Sequence, residues 1–450
     1  MSPNEITTRR RLLQLTGAAV TGVLAGCSRN SSKSTSTGTS TSTGRPTKSS
    51  TTRTTTETTT EETSKPKLRT DYNSRKRFGE PGTSFDDFED SSKWVEKRNS
   101  VTPDSSISFV GTRSLKLSTD SYEGVTAERR LDAPLDISTH DVSFAFRSET
   151  PMDVSFQVYL YDADDNWVVQ ELRNVTYRPP DVGWFRTCPG VFETSETPPD
   201  RRNIVRIKLE LGSNNSNGVQ AHVDDMRLHP KPDKGYVVLS WDDGDQIYYD
   251  EAAPLNDEYG FPAVITMPIE PDKVDSSYFM SVEELRERQE NGDEVVVHGS
   301  TGDPFATIST KKLEHILRRN KQWMIDNGFE GANFIVYPGN NYDKTALRII
   351  SKYFYMGGMN QSASVNMTGV HGFDPLVLPR TIGSRLEVSK RAVTLAAEHR
   401  QCSILNFHNF DSHNTMSRSE YKELLAHIDG TNGIEVITYS DLWEMRRSRP

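Results

Sequence analysis

Hydrophobic and polar residues alternate along the middle of the chain, between about residues 75 and 232. An alternation with a period of two places successive side chains on opposite faces of an extended strand. Several such segments with few helical stretches between them predict an antiparallel β-sandwich. The segments with the clearest alternation are 142–146, 154–160 and 205–211, with a shorter one at 114–117.

The pattern changes at Tyr236, where short apolar segments begin to alternate with segments of helical period. Residues 236–240 are apolar enough for a strand buried on both faces, and Ser281 with Glu284 forms a capping box that opens a helix. Alternating strands and helices over residues 233–450 predict a parallel sheet or barrel. Further strands are predicted at 261–267, 294–297, 333–336, 403–407 and 434–438, and helices at 311–327, 343–353, 386–399, 417–428 and 440–447.

Reactive side chains follow three of these predicted strands. Asp242 and Asp243 come after the first strand, His298 after the strand at 294–297, and His408 after the strand at 403–407. In β/α folds the working residues lie where strands end. One carboxylate with a histidine can hold a divalent metal and leave positions open for water. The other carboxylate and the remaining histidine would then be a base and an acid.

Residues 240–244 (Ser-Trp-Asp-Asp-Gly) resemble the first motif of the polysaccharide deacetylase (NodB-homology) family. The resemblance extends over roughly 210 residues, about the size of one domain. It implies a distorted (β/α) barrel of about seven strands, after the β-sandwich. It also implies hydrolysis of an N- or O-acetyl group on a polysaccharide or cell-envelope glycan with a divalent metal, zinc or similar. The later motifs are resembled, in order, by residues 294–300, 334–339, 378–380 and 404–408.

The resemblance also implies a role for each matching side chain. Asp242 would be the general base and His408 the general acid, while Asp243 and His298 would bind the metal, which polarises the acetyl carbonyl. Supporting positions implied by the third motif are Tyr337, Pro338 and Gly339.

The chain departs from the family at two of these motifs. The position of the second metal-binding histidine is Gly302, which has no side chain to bind a metal, and the adjacent Asp303 is the expected replacement. An oxygen ligand there would make a harder site that suits several divalent ions. The third motif has no arginine, so Arg380 is expected to reach Asp242 instead. Two further histidines, expected to be surface residues rather than ligands, are His371 and His413.

The alternating region resembles a carbohydrate-binding jelly roll at residues 85–90, 111–115 and 223–228. In such folds the first and last strands often share a structural calcium, which prefers oxygen ligands. The alternative is that the acidic pairs lie in solvated turns. Trp184 is expected in the core, whereas Trp167 is either a core or a sugar-stacking residue.

The first 27 residues are predicted to be an export signal. Residues 8–13 (Thr-Arg-Arg-Arg-Leu-Leu) resemble a twin-arginine signal, and the apolar stretch at 15–25 is too short to span a bilayer comfortably. Residues 24–27 resemble a lipobox, in which Cys27 would be lipidated and anchor the protein to the outer face of the membrane. The alternative is an uncleaved N-terminal anchor.

Residues 28–74 are mostly small polar and charged residues, which cannot bury enough apolar surface to fold. Their composition predicts an O-glycosylated stalk or a plain disordered linker. The whole chain is 34% hydrophobic, with a formal net charge of −10, which argues against nucleic-acid binding. The three cysteines show no metal or disulfide spacing, and Cys188 and Cys402 are expected to be buried.

Two functions of different classes remain. The first is a surface deacetylase with a modified metal site, and the second is a non-catalytic glycan-binding protein that lost its metal triad. Retention of Asp242, Asp243, His298 and His408 favours the first, because the fold alone does not require that set. Hydrolysis of another bond on the same scaffold is a third alternative.

Overall fold

The structure is a computed structural model. Cys27 and the rest of the predicted signal, most of the predicted stalk, Gly302, Asp303 and His413 lie outside the residues that it describes. The described residues are 65–71, 81–121, 123–151, 154–173, 181–213, 218–268, 270–299, 304–358, 360–410 and 415–448.

The first part of the fold is an antiparallel region of two sheets. One sheet has the order β3-β4-β12-β6-β9, with β1 also paired to β12, and the other has the order β10-β8-β7-β11-β5-β2. The strands are β1 Thr83–Asp86, β2 Val95–Arg98, β3 Ser100–Asp104, β4 Ser114–Thr119, β5 Val125–Leu135, β6 His140–Ser148, β7 Val154–Tyr161, β8 Trp167–Arg173, β9 Phe185–Thr187, β10 Val191–Thr194, β11 Ile204–Ser213 and β12 Val219–Pro230.

The alternation in the sequence corresponds to burial in these sheets. Along β7, buried residues alternate with half-buried ones from Val154 to Tyr161. Phe156 of β7 lies 5.3 Å from Phe144 and 5.0 Å from Phe146 of β6, measured between ring centroids. Because β6 and β7 belong to different sheets, these rings join the apolar faces of the two sheets. The prediction of antiparallel β structure is therefore confirmed.

The second part of the fold is an α/β region built on one parallel sheet. Its order is β17-β16-β15-β14-β13-β20-β19-β18, with β21 also paired to β13. The sheet has nine strands where about seven were predicted, because it includes edge strands of two and three residues. The strands are β13 Gly235–Trp241, β14 Val264–Thr266, β15 Glu294–His298, β16 Phe334–Val336, β17 Met356–Gly357, β18 Asn360–Ser362, β19 Pro379–Ile382, β20 Cys402–Phe407 and β21 Ile434–Val436.

Seven α-helices accompany this sheet in the described part of the region, and the ends of several follow local capping signals. Ser281 caps its helix through the predicted reciprocal bonds with Glu284. Ser417 and Glu420 form a second capping box. The helices are α1 Ala253–Tyr259, α2 Val282–Glu290, α3 Thr310–Asp326, α4 Lys344–Ile350, α5 Leu386–His399, α6 Arg418–Gly430 and α7 Tyr439–Ser448. Within the part of the chain that is described, no helix combines the length and apolar character needed to cross a membrane.

Residues 65–71 are docked onto the α/β region, although the sequence assigned them to the disordered stalk. The main-chain N–H of Thr70 donates to the Lys352 carbonyl at 3.1 Å. The Tyr355 hydroxyl donates to the Asp71 carboxylate at 2.8 Å. The prediction of a stalk over 28–74 is therefore wrong for this last stretch, since these partners are about 280 positions away and leave no local pattern.

The antiparallel and α/β regions share a buried polar contact, and together they form one compact unit from Lys65 onward. Gln401 accepts from the main-chain N–H of Val191 at 2.8 Å and donates to the Asp141 carboxylate at 2.7 Å. Lys231 also pairs with Asp141. Because these groups are buried, they must be satisfied by one another, and this contact fixes the two regions side by side.

Candidate active site

Four reactive side chains lie at one edge of the parallel sheet. Asp242 and Asp243 follow β13, His298 is the last residue of β15, and His408 follows β20. β13 pairs in parallel with β14 and β20, and β14 pairs in parallel with β15. Because parallel strands end at the same edge, the structure brings all four together, as the sequence predicted for strand ends.

Arg380 binds the carboxylate of Asp242 with two hydrogen bonds. Nη1 and Nη2 of Arg380 each donate to one oxygen of Asp242 at 2.9 Å. The two side chains are only 2% and 4% exposed, and Nη1 also donates to the Ser240 hydroxyl at 3.3 Å. A bidentate contact of this kind restrains both the position and the rotation of a carboxylate. Arg380 thus makes the contact that the missing third-motif arginine left open.

Asp243 and His298 form a second pair beside the first. Oδ1 of Asp243 lies 3.2 Å from Nε2 of His298, and Nδ1 of His298 donates to the Val336 carbonyl at 3.1 Å. Burial acts to raise the pKa of Asp243, but the hydrogen bond and the charge of His298 lower it to about 2. Burial acts to lower the pKa of His298, but Asp243 raises it above its usual value. Val336 therefore orients the ring so that Nε2 faces Asp243.

The turn after the two aspartates requires a glycine. Asp243 and Gly244 both have a left-handed backbone, with φ of 70° and 71°. A Cβ atom on Gly244 would lie 2.7 Å from the main-chain nitrogen of Pro268, closer than non-bonded atoms approach. The Asp-Asp-Gly sequence therefore lets the chain turn sharply past the end of β14 and keeps Asp242 and Asp243 at the sheet edge.

His408 is the most accessible of the four side chains. Its side chain is 41% exposed, and Nε2 lies 3.9 Å from Oδ2 of Asp242. The main-chain N–H of Asp242 donates to the Phe407 carbonyl at 2.9 Å, so β13 and β20 stay paired up to these residues. Asp242 consequently lies between a buried arginine and a solvent-facing histidine.

The three supporting residues of the third motif shape the wall beside His298. Tyr337 is buried, and its hydroxyl donates to the Leu376 carbonyl at 3.0 Å. Pro338 packs under the residue after His298, since a Cβ atom on Gly299 would lie 2.4 Å from Pro338 Cδ. Gly339 has a φ of 60° in the following turn. These contacts hold the segment after β16 in place next to His298.

Asp245 is a third carboxylate near this edge, and the sequence analysis did not single it out. Burial raises its pKa to about 7, and the charge of Asp243 acts in the same direction. Its main chain forms an antiparallel bridge with Phe279. A third aspartate directly after the Asp-Asp-Gly motif was the available signal in the sequence.

Asp243 and His298 fit two positions of a divalent metal site. Their facing atoms are close enough to share an ion after small adjustments, and a histidine held through Nδ1 presents Nε2 as a ligand. Gly302 and Asp303 lie outside the described residues, so the predicted third ligand has no position here. Among the residues that are described, no group of three His, Cys, Asp or Glu side chains is arranged to hold a metal ion.

Three acidic side chains of the antiparallel region lie in the segments where a calcium site was predicted. Asp225 pairs with Arg186, and Asp86 pairs with Arg129. Asp224 accepts two main-chain N–H groups, at 2.7 and 3.1 Å. All three aspartates are at most 7% exposed, so these three do not lie in solvated turns, whereas Asp87 is exposed. Arginine and amide donors reach several of these carboxylate oxygens, but Oδ1 of Asp224 is buried without a hydrogen-bond partner among the described residues. The calcium site therefore stays a prediction.

Other sequence predictions have mixed outcomes. Trp184 was expected in the core but is half-buried, with its ring 5.9 Å from that of Phe109. His371 was expected at the surface but is buried, and its Nδ1 donates to the Pro230 carbonyl at 2.6 Å. Trp167 is half-buried, with an edge contact to Tyr159 at 5.2 Å. Both remaining cysteines, Cys188 and Cys402, are buried and free, as predicted.

Comparison with solved structures returns partial matches at low identity and low TM-score. A family 4 carbohydrate esterase from Streptomyces lividans in complex with acetate has 14% identity and a TM-score of 0.32, over 45% of this chain and 92% of that chain. A deacetylase of Streptococcus pyogenes in complex with acetate has 15% identity and a TM-score of 0.30, over 42% and 69%. A family 11 carbohydrate-binding module of Clostridium thermocellum has 17% identity and a TM-score of 0.26, over 33% and 95%. No curated protein matches the chain.

A family model described as polysaccharide deacetylase matches residues 229–357. The matched segment contains Asp242, Asp243 and His298, whereas Arg380 and His408 follow it in the chain. The resemblance inferred from the first three motifs is confirmed over this range. Residues 229–357 are therefore a polysaccharide deacetylase domain, set in a chain that continues the same parallel sheet beyond them.

Proposed function

We propose that the α/β region is a metal-dependent hydrolase that removes acetyl groups from a polysaccharide or cell-envelope glycan. The observation that carries this proposal is that two carboxylates, each paired with a basic side chain, lie at one edge of the sheet. Asp242 is held by Arg380 and faces His408, while Asp243 is held by His298. A fold does not require four such groups together, so a shared chemical task is the better explanation.

Asp242 is proposed as the general base. Its two hydrogen bonds from Arg380 point the carboxylate in one direction, and a base must lie within hydrogen-bond reach of the proton that it takes. In this role Asp242 accepts a proton from the water that attacks the acetyl carbonyl. Arg380 is a positioning residue, because it touches Asp242 and acts through it.

His408 is proposed as the general acid. Its side chain faces solvent, and its Nε2 lies 3.9 Å from Asp242, so a substrate can lie above both groups. His408 then donates a proton to the leaving amine or hydroxyl as the acetyl group is released. Acyl hydrolysis needs both a base for the attacking water and an acid for the leaving group.

Asp243, His298 and Asp303 are proposed as ligands of a divalent metal, zinc or similar. When bound, such an ion supplies Lewis-acid polarisation of the acetyl carbonyl. The low pKa of Asp243 keeps this carboxylate ionised at neutral pH, which suits a metal ligand. Asp303 supplies an oxygen beside the position where Gly302 replaces the family's second histidine.

The cellular location is part of the same proposal. A twin-arginine signal at residues 1–27 with a lipidated Cys27 would export the protein and anchor it to the outer face of the membrane. The chain from 28 to about 64 would then be a stalk. The antiparallel region is proposed to be a β-sandwich of jelly-roll type that lies against the same glycan.

One observation favours a second candidate function, a glycan-binding surface protein without catalysis. Gly302 stands at the position of the family's second metal-binding histidine and has no side chain to bind an ion. A protein that retained the fold and lost the metal would still offer a glycan-binding surface.

The experiment measures metal content and acetate release on the purified full-length protein, with acetylated polysaccharides as substrates. The proposal expects about one divalent ion per chain and acetate release that Asp242→Asn abolishes while the metal remains bound. Asp250→Asn is the matched control, because Asp250 is an exposed aspartate eight positions further along. Neither metal nor acetate release in the wild type would reject the hydrolase and favour the glycan-binding protein.

A further inference from the structure

Two adjacent aromatic residues stand on the loop between β14 and α2. Tyr278 is 78% exposed, and the one other large hydrophobic residue with high exposure in the described part of the chain is Val95, on the antiparallel region. Phe279 is half-exposed. Among the described residues, neither ring contacts another aromatic ring or packs against the buried core. Exposed aromatic surface that no core residue covers is a common feature of ligand contacts.

The sheet order places this loop beside the reactive side chains. β14 lies between β13, which leads into Asp243, and β15, which ends in His298. The loop that leaves the carboxyl end of β14 must therefore rise between these two strand ends. Two main-chain hydrogen bonds attach it there. Gln246 N–H donates to the Tyr278 carbonyl at 2.9 Å, and Met280 N–H donates to the Gly244 carbonyl at 3.0 Å.

The pairing also orients Phe279 toward the site. Phe279 lies directly opposite Asp245 in an antiparallel bridge, and directly opposed residues project their side chains to the same face. Asp245 comes two positions after Asp243, directly after the Gly244 turn. Phe279 therefore lies on the face of the loop that carries the acidic groups, and Tyr278 follows at its outer edge.

The loop is also held in one conformation. Phe279 N–H donates to the Ser276 carbonyl at 3.0 Å, and the Asp275 carboxylate accepts from Val282 N–H at 3.1 Å. Met280, the next residue, is fully buried. A contact surface that is ordered before the ligand arrives loses less entropy on binding.

We propose that Tyr278 and Phe279 form a sugar-stacking rim that positions a pyranose unit of the polysaccharide next to the Asp242–Asp243 edge. The apolar C–H face of a sugar ring packs against an aromatic ring, while its hydroxyl groups stay in water or reach polar side chains. The inference rests on the proposed function for the identity of the ligand. It adds that a second sugar unit is bound: the rim lies beside the reactive groups, so the sugar that stacks on it is a neighbour of the acetylated unit in the same chain.

The test compares a polymeric and a small substrate on the full-length protein. Tyr278→Ala and Phe279→Ala are each expected to raise KM for an acetylated polysaccharide by about tenfold, with kcat unchanged. Activity on a small acetyl ester, which cannot reach the rim, is expected to stay at the wild-type level. Tyr278→Trp should retain the wild-type KM, and Val95→Ala, the exposed control on the antiparallel region, should behave as the wild type.

A binding measurement separates this inference from the proposed function. Gel electrophoresis through acetylated polysaccharide reports affinity without turnover. If the wild type binds but releases no acetate, and Tyr278→Ala loses binding, the sugar-stacking rim is supported and the proposed hydrolase activity is rejected. If both alanine variants keep wild-type KM and affinity, the rim is overturned and the hydrolase stands. Phe279→Leu retains apolar volume, so folding is preserved while the flat ring is removed. Wild-type affinity in this variant would overturn the role of Phe279.

Discussion

Arg380 binds both carboxylate oxygens of Asp242 from a strand that is not adjacent to the one bearing Asp242. Arg380 belongs to β19, Asp242 follows β13, and β20 lies between them. A long side chain is needed to reach Asp242 from the second strand away. Both groups are almost fully buried, so each depends on the other for compensation of its charge.

Arg380→Lys is expected to reduce both activity and stability. Lysine keeps the charge but cannot make the two parallel hydrogen bonds, so Asp242 loses its fixed orientation. We expect kcat for acetate release to fall at least about tenfold and the free energy of unfolding to fall by about 2 kcal/mol, because a charge-assisted hydrogen bond is lost. Acetate assays and urea unfolding measure these effects. Arg418→Lys is the control, because Arg418 is half-exposed and forms a long ion pair of 3.8 Å with Glu251. An unchanged kcat would show that Arg380 does not position the base.

His298→Ala is expected to release the metal. The substitution removes the Nε2 atom that faces Asp243, leaving one described ligand of the proposed site. Metal content per chain, measured after dialysis, should fall from about one to near zero, because the remaining side chains bind a divalent ion weakly. His427→Ala is the control, because His427 contacts Thr394 on the helical surface far along the chain. Full metal content in His298→Ala would remove this residue from the ligand set.

Glu294 is expected to make stability depend on pH. Burial raises its pKa from 4.5 to about 7, although Ser440 and Tyr439 donate hydrogen bonds to it. A carboxyl with a raised pKa favours the folded state when protonated. Its contribution is therefore complete below about pH 4.5 and is lost as the pH rises through 7. At about 1.4 kcal/mol per pKa unit, the free energy of unfolding should fall by roughly 3 kcal/mol over this range.

Urea unfolding of the wild type and of Glu294→Gln between pH 5 and 8 tests this expectation. The variant cannot ionise at this position, so its stability should change less over the range than that of the wild type. Glu435→Gln is the control, because Glu435 forms an exposed pair with Lys234. Parallel pH profiles for the wild type and Glu294→Gln would contradict the raised pKa.

Arg186 is expected to stabilise the antiparallel region where calcium was predicted. Its side chain is fully buried against Asp225, and removal of one member of a buried ion pair costs about 3–5 kcal/mol. Arg186→Met should lower the free energy of unfolding by this amount, measured with urea. Arg202→Met, at an exposed arginine, should have little effect. An unchanged free energy of unfolding in Arg186→Met would contradict the contribution of this ion pair.

Local patterns predicted most of the secondary structure. The helix predicted at 386–399 is α5, Leu386–His399, and the capping box at Ser281 begins α2. Caps and periodicity depend on residues three or four positions apart, so the sequence states them directly. The two-residue strand β17, Met356–Gly357, has no period and could not be predicted.

The part of the candidate site that lies at strand ends could be predicted from the sequence. Asp242, Asp243, His298 and His408 each follow an apolar segment, and parallel strands end at one edge. The contact of Arg380 with Asp242 was an expectation without a local signal, and its geometry depends on how three strands align. Asp245 was overlooked because a carboxylate after a turn is usually solvated.

The sequence by itself determined the two kinds of sheet, the order of their elements and the strand ends that carry reactive groups. Each of these follows from spacing within a few residues along the chain. The tertiary structure alone decided the docking of residues 65–71, the burial of His371 and the pairing of Asp225 with Arg186. Those contacts join residues far apart in sequence, since packing between elements, rather than local periodicity, sets which side chains meet.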